Sequence, residues 1–189
     1  SAFIVYDGSA APANVPEMGK DYTTEATDGL TTTVAILDSL NTYAAFECVF
    51  ICTPVPATKL TWTIPLPNGT ASTATLYYRR NDNTWVDTGM MDGTKSGSTT
   101  LATTGGAMTW AKPSDEMPMY MYGLSGFWYQ LRVSVQLGSE VEVSKVTYGH
   151  YASNTPVFVP LVNVWDGVIP YAIEAMHYDN SAGLYKTYA

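Results

Sequence analysis

Residues 127–148 read Phe-Trp-Tyr-Gln-Leu-Arg-Val-Ser-Val-Gln-Leu-Gly-Ser-Glu-Val-Glu-Val-Ser-Lys-Val-Thr-Tyr. From Phe127 to Leu137, apolar side chains occupy every second position and mostly polar side chains occupy the positions between them. Successive side chains of a β-strand point to opposite faces, so this period predicts a strand that is buried on one side. Gly138-Ser139 fits the short connection of a tight turn. We therefore predict a hairpin in which residues 141–148 return beside residues 127–137.

The return strand of this hairpin changes phase. Val141 and Val143 share one face, but Val146 and Tyr148 stay on that face only if the alternation slips by one residue near Ser144-Lys145. An extra residue in one strand of an antiparallel pair produces such a slip. We predict a β-bulge at this position.

Short β-prone runs recur along the rest of the chain and are separated by Gly, Pro, Asn and Asp. We predict further strands at 3–6, 30–37, 43–52, 60–66, 73–80, 84–87, 99–103 and 107–110. Residues 73–87 form a hairpin around Asn81-Asp82-Asn83, and residues 99–110 form one around Gly105-Gly106. In residues 43–52 both faces are largely apolar, which predicts a strand covered on both sides. The predicted fold class is all-β, an antiparallel two-layer β-sandwich (jelly-roll-like) with extended N- and C-terminal arms.

The domain organisation follows from the same pattern. We predict an N-terminal strand and arm at 1–40, a sandwich core at 41–150 and a C-terminal arm at 151–189. Residues 163–167, Asn-Val-Trp-Asp-Gly, echo residues 4–8, Ile-Val-Tyr-Asp-Gly. Either residues 159–189 begin a second copy of the module or a similar β-turn is used twice. A first residue that is not Met fits a processed product or a piece of a longer protein.

Charge and composition narrow the classes of function. The net charge of -8 and the nine basic residues argue against a nucleic-acid partner, which needs clustered Lys and Arg. No apolar run approaches the ~20 residues of a membrane-spanning helix, so no membrane partner is predicted. Cys48 and Cys52 lie four residues apart in an extended run, too far for a disulfide, and are interpreted as small core residues. The alternative, a metal site, lacks supporting histidines.

Several motifs together carry a family likeness. They are Trp85-Val86-Asp87, Asp92-Gly93-Thr94, Met108 with Trp110, the run Gly126 to Ser134, and Asn163 to Gly167. Their order resembles β-sandwich modules of the virion and tail structural proteins of bacteriophages and related environmental viruses, over roughly residues 43–167. The resemblance implies a structural or adhesive building block of a particle, with no enzymatic residues to transfer. Its expected partners are copies of itself or neighbouring virion subunits, and its expected location is the virion or the extracellular space.

One surface site is a candidate for binding a host glycan. Trp128, Gln130 and Arg132 lie on the polar face of the opening strand, where an exposed ring can stack on a sugar while polar neighbours bind its hydroxyls. The competing interpretation is that Trp128 packs beneath a loop or at a subunit contact, with Arg132 stacked on it. Trp85 and Trp110 are interpreted as hairpin packing.

No catalytic, cofactor or metal site is predicted. Loop carboxylates could supply calcium ligands, but they lack EF-hand spacing and are interpreted as solvated: Asp87, Asp92, Asp115 and Glu116. His150 and His177 lie near no nucleophile motif. Asn68-Gly69-Thr70 is a formal glycosylation sequon.

Three hypotheses about function therefore stand. The first is a non-enzymatic structural protein of a virus particle, tail or fibre. The second is a carbohydrate-binding or adhesive module. The third, a glycosidase, requires two carboxylates ~5–9.5 Å apart in one cleft.

Overall fold

The computed structural model of this chain describes residues 1–7, 19–38, 40–45, 47–150, 176–179 and 184–187. The chain divides into two compact units, Ser1–Tyr151 and Ala152–Ala189. The elements are β1 (Ala2–Asp7), β2 (Gly19–Asp21), α1 (Glu25–Asp28), β3 (Ala35–Ile36), a 3-10 turn (Tyr43–Ala45), β4 (Glu47–Thr53), β5 (Ala57–Thr63), β6 (Ala74–Arg79), β7 (Trp85–Asp87), β8 (Met91–Asp92), β9 (Ala107–Thr109), β10 (Met119–Met121), β11 (Leu124–Val133), β12 (Glu142–Val143), β13 (Lys145–His150), β14 (Met176–Asp179) and β15 (Leu184–Thr187). No helix among the described residues is long and apolar enough to cross a membrane.

The first unit is an antiparallel β-sandwich, as predicted. One sheet has the strand order β2-β1-β4-β11-β6-β7, with β10 paired to β11 as a seventh strand. The second sheet has the order β13-β5-β9-β8, and β3 pairs with β12 beside it. Every pairing between named strands of the described residues is antiparallel.

The hydrophobic core lies between the two sheets. Tyr129 and Leu131 of β11 and Val49 of β4 contribute fully buried side chains from the large sheet, and Leu60 and Trp62 of β5 contribute them from the small one. The Tyr129 hydroxyl also joins the sheets, because it accepts a hydrogen bond from the Ala57 amide at 2.7 Å. Strand β4 is buried on both faces, which confirms the prediction made from its two apolar faces.

The predicted hairpin of residues 127–148 is wrong. Strand β11 pairs with β4 and β6 in the large sheet, whereas β13 pairs with β5 in the small sheet. Residues 134–141 cross between the layers, and Leu137 is buried there, with its amide donating to the Leu40 carbonyl. The alternation along the chain was correct, but the partner of each strand is distant in sequence.

The predicted bulge at Ser144-Lys145 agrees with the backbone hydrogen bonding there. Lys145 lies opposite Thr63, yet the Ser144 amide donates to the Thr63 carbonyl, so two consecutive residues face one residue of β5. Val146 and Tyr148 lie opposite Trp62 and Leu60, which face the core. Val146 packs against the same core as Val143, as the predicted slip requires. A further register shift falls between Gly149 and His150.

Two further predictions have opposite outcomes. The hairpin of β6 and β7 forms around Asn81-Asp82-Asn83, and Trp85 lies opposite Arg79. Residues 99–103 form turns rather than a strand, and β9 pairs with β5 and β8 instead. Residues 19–28, where no element was predicted, contain β2 and the short helix α1.

The strand predicted at residues 3–6 is present as β1 and belongs to the large sheet, whereas the arm predicted after it falls mostly outside the described residues. Strand β1 pairs with β4 from Ala2 to Asp7, and Ala2, Phe3 and Ile4 are buried. The ring of Phe3 meets the ring of Trp62 edge-on, with centroids 6.0 Å apart. In the second unit, β14 pairs with β15. The echo at residues 163–167 lies outside the described residues.

Two backbone segments touch where Gly93 and Gly106 meet, and this contact allows a direct test of the fold. A Cβ on Gly106 would lie 2.5 Å from the Gly93 oxygen and 2.7 Å from the Thr94 Cα. Gly106→Ala should therefore lower the free energy of unfolding by about 1–3 kcal/mol in urea titrations, because the backbone must separate. Gly69→Ala is the matched control, since a Cβ there meets nothing within 4 Å. Equal stabilities of the two variants would contradict the close contact.

Candidate functional site

The outer face of the large sheet carries an aromatic groove, which we call the outer groove. Its volume is about 590 Å³. Six aromatic side chains line it: Tyr6, Tyr43, Phe50, Trp85, Tyr120 and Tyr122. Strand alternation places these side chains there, since Tyr6, Phe50 and Gln130 all lie on the face opposite the core. Large aromatic side chains around a few polar groups are typical of small-molecule sites.

The β10–β11 hairpin forms one wall of this groove. Its turn is Tyr122-Gly123, and both residues have positive φ, 50° and 78°. Positive φ at two successive turn residues is the geometry that matches the twist of a two-residue hairpin. Tyr122 packs against both Phe50 and Trp128, with ring centroids 5.9 and 6.0 Å apart. The hairpin is therefore held down on the outer face of the sheet.

Trp128 lies beneath this hairpin. Its side chain is 0% exposed, and its Nε1–H donates to the Met119 carbonyl at 3.2 Å. The prediction that Trp128 offers an exposed ring for sugar stacking is wrong, because β10 covers that part of the sheet. The competing interpretation, packing beneath a loop, is observed, but Arg132 stacks elsewhere.

The buried Gln130 lines the groove and forms a polar pair with the half-buried Arg132 beside it. The Arg132 Nε donates to the Gln130 Oε1 at 2.8 Å, and the Gln130 Nε2 lies 3.2 Å from the Cys48 Sγ. The Arg132 guanidinium lies between two rings, 3.5 Å from the Tyr43 centroid and 4.0 Å from the Tyr77 centroid. Cation–π attraction and the shared amide oxygen hold this guanidinium in one orientation.

A second arginine stacks at the opposite side of the groove. The Arg79 guanidinium lies 5.5 Å from the Trp85 ring centroid, and Trp85 in turn packs against Phe50. Among the described residues, the buried Nε of Arg79 has no hydrogen-bond partner. The third arginine of the chain differs, because Arg80 forms an ion pair with Asp82. Within the described segments this is the one ion pair closer than 4 Å.

A second cavity contains a single acid. It measures about 720 Å³ and is lined by residues that include Pro56, Trp110, Lys112, Glu116 and Phe127. Neither carboxyl oxygen of Glu116 has a hydrogen-bond partner within the described parts of the chain, and both are shielded from solvent. Burial raises the pKa of Glu116 to about 7, with the nearby Tyr129 hydroxyl and Lys112 opposing a further rise. Glu116 is the only carboxylate among the described residues that line this cavity, whereas a glycosidase uses two carboxylates.

Three of the four loop carboxylates weighed as calcium ligands and interpreted as solvated have separate structural partners. Asp92 accepts hydrogen bonds from the Thr94 amide and from the Thr94 and Thr100 hydroxyls, all within 2.9 Å. Asp87 accepts from the Gly89 amide, and Asp115 accepts from the Tyr78 hydroxyl. No three His, Cys, Asp or Glu side chains of the described residues come together as a metal site requires. Asp92 thus organises its own loop.

Other candidates from the sequence also have structural placements. Asn68 of the sequon is buried and makes hydrogen bonds through its whole amide, including from Nδ2 to the Thr100 carbonyl, so it is closed to glycosylation. Cys48 and Cys52 are free and buried, and burial raises the pKa of the Cys48 thiol to about 12. Their interpretation as buried, unbridged residues is confirmed. His150 is exposed, and the surroundings of the His177 side chain are outside what the structure describes.

The sequence suggested only part of this site. Gln130 and Arg132 were identified from strand alternation; Gln130 lines the outer groove, and Arg132 stacks on Tyr43 of its lining. Tyr43, Tyr120 and Tyr122 were not identified from the sequence as groove residues. Tyr43 lies in a 3-10 turn, and the other two lie in a hairpin whose turn has no Asn-Gly or Asp-Gly pair. Comparison with protein-family models, curated proteins and solved structures found no match for this chain.

Proposed function

We propose that this chain is a non-enzymatic structural or assembly module of a virus particle, tail or fibre, working through contacts with copies of itself or with neighbouring subunits. The resemblance of its motifs to virion and tail modules supports this proposal. A rigid sandwich with sparse charge suits repeated protein contacts, since interface cores are depleted of charged residues. The corresponding location is the virion or the extracellular space.

The observation that carries this proposal is an uncharged, exposed hairpin. Residues 117–131 contain no Asp, Glu, Lys or Arg. On this segment Met117, Tyr120 and Leu124 expose 47%, 72% and 41% of their surface, and we call these three side chains the hairpin surface. Residues 124–126 of β11 pair only with β10, so this end of the hairpin lies outside the main sheet pairing. Exposed apolar side chains grouped in this way are typical of contact surfaces.

Assembly of purified protein tests this role. Mass photometry and electron microscopy of the wild type should show a concentration-dependent oligomer. The double variant Met117→Ser/Leu124→Asp should weaken association at least tenfold, because it replaces apolar contact area with polar and charged groups. Met91→Ser is the matched control: Met91 is 72% exposed but lies on β8 of the other sheet, and its loss should change little. A monomeric wild type at all concentrations, with and without neighbouring subunits, would contradict the proposal.

A carbohydrate-binding or adhesive role is the second candidate. The outer groove favours it, because its aromatic side chains and fixed polar groups suit the flat apolar faces and the hydroxyls of a sugar ring. The ligand would contact Gln130 and Arg132 but not Trp128.

A further inference from the structure

The outer face carries two half-buried arginines that stack on aromatic rings. Arg79 and Arg132 both lie against rings of the outer groove or beside it, and neither has a carboxylate within 4 Å among the described residues. Arg80, by contrast, forms an ion pair with Asp82. The chain has 17 acidic residues, so acids are available to pair with an arginine. A guanidinium that stacks on a ring and has no carboxylate nearby can still bind an added anionic group through its N–H donors.

The remaining donors of Arg132 are available. A guanidinium carries five N–H donors. The Nε and Nη2 atoms of Arg132 donate to one oxygen of Gln130, whereas Nη1 has no acceptor within the described ranges and is not enclosed. Planar guanidinium groups bind carboxylates and sulfates through paired hydrogen bonds. The free edge of Arg132 is thus a preformed site for an anionic group.

The two cations lie on neighbouring strands of the outer face and are separated along the strand direction. In the register of β11 and β6, Arg132 lies opposite Thr75, and Thr75, Tyr77 and Arg79 follow one another on the outer face. Four residues of strand span about 13 Å. A ligand that reaches both arginines must therefore be extended and carry acid groups at intervals, while its uncharged parts lie against the aromatic side chains.

We propose that the outer groove binds an acidic oligosaccharide, whose sugar rings stack on Trp85, Phe50 and Tyr120 and whose acid groups pair with Arg132 and Arg79. This proposal deepens the second candidate function by naming its ligand class, and it rests on that function. Two arginines and a strongly negative chain make a poor track for a nucleic-acid backbone, which needs a continuous positive groove. Carboxylated and sulfated sugars share the required chemistry, and the experiment separates them.

Binding should be measured by calorimetry with four probes of matched length: a galacturonic acid oligomer, a sulfated galactose oligomer, a neutral galactose oligomer and an oligo-dT strand. The wild type should bind one of the two acidic oligomers at least tenfold more tightly than the neutral one, and the acidic oligomer that binds better identifies the acid group. Arg79→Gln and Arg132→Gln should each remove most of this preference. Arg80→Gln, the arginine already paired with Asp82, should leave it unchanged.

The outcomes distinguish two claims: that the groove binds sugars, and that those sugars are acidic. Equal binding of neutral and acidic oligomers would overturn the acidic ligand but retain a sugar site. Binding to none of the sugars would overturn both, and tightest binding to oligo-dT would assign the groove to single-stranded nucleic acid instead. If Arg132→Gln fails to fold, Arg79→Gln tests the charge, and Tyr120→Ala, at an exposed position, tests the stacking through a loss of at least fivefold for every sugar.

Discussion

Replacing Glu116 with glutamine should raise the free energy of unfolding at pH 8 by about 3 kcal/mol and change it little at pH 4. Burial raises the pKa of this carboxyl from 4.5 to about 7 in the folded chain. Because the folded state then binds the proton more tightly than the unfolded state, this contribution to stability is complete below about pH 4.5 and is lost as the pH rises through 7. Glutamine keeps the shape of the side chain and never carries the charge. Urea unfolding of both proteins across pH 4–8 measures the difference.

An exposed acid provides the control for this prediction. Glu140→Gln removes a carboxylate that lies on the surface, and it should change the stability by less than about 0.5 kcal/mol at every pH. The difference between wild type and Glu116→Gln should therefore grow with pH, while the difference between wild type and Glu140→Gln stays flat. Parallel curves for the two variants would show that Glu116 is not held in an uncompensated site.

Glu116 also shows why composition alone could not identify this group. In the sequence it is one of four loop carboxylates and was interpreted as solvated. Its backbone lies opposite Arg80 in an isolated bridge, and this pairing places the side chain against the wall formed by Trp110 and Phe127. Contacts between segments distant in sequence determine which loop carboxylate becomes buried. The spacing of residues within the loop does not reveal these contacts.

The alternation of side chains predicted strands well and their partners poorly. Strand β6 lies within its predicted run, and β4, β5 and β11 overlap theirs, since period-2 patterning is a local property. The pairing of β11 with β4 joins residues about 80 positions apart in sequence, as in Gln130 opposite Phe50, and no turn residue encodes it. Gly138-Ser139 suggested a hairpin because these residues favour a tight turn. The sequence does not show that the strands on either side pair with different sheets.

The site was predicted in part for a similar reason. Strand alternation placed Trp128, Gln130 and Arg132 on one face, which the structure bears out. What covers that face could not be predicted, because the covering hairpin turns at Tyr122-Gly123 rather than at an Asn-Gly or Asp-Gly pair. A tyrosine with positive φ is uncommon and costs strain, so its position is stabilised by the packing of its ring.

Replacing Trp128 with alanine should lower the free energy of unfolding by about 3–5 kcal/mol, a large fraction of the total for a domain of this size. The ring is fully enclosed with Ala2, Ile4 and Cys52, and its indole N–H holds the Met119 carbonyl of β10. Removing it leaves a cavity under the hairpin and takes one donor away from the Met119 carbonyl. Urea unfolding measures the loss, and hydrogen exchange at the amides of β10 should accelerate beyond that of β5.

Trp128→Phe separates the two parts of this effect. It retains most of the buried ring but removes the donor to Met119, so the loss should fall to about 1–3 kcal/mol while exchange in β10 remains faster than in the wild type. A loss below 1 kcal/mol for Trp128→Ala would mean that the ring is not enclosed.

The same hairpin carries Tyr120 and Tyr122 to the outer groove. Trp128→Ala should therefore also lower the affinity for any ligand bound there, although Trp128 itself does not contact the ligand. Weaker sugar binding by that variant would therefore report the position of the hairpin, whereas the same loss in Tyr120→Ala, with unchanged stability, would report direct contact.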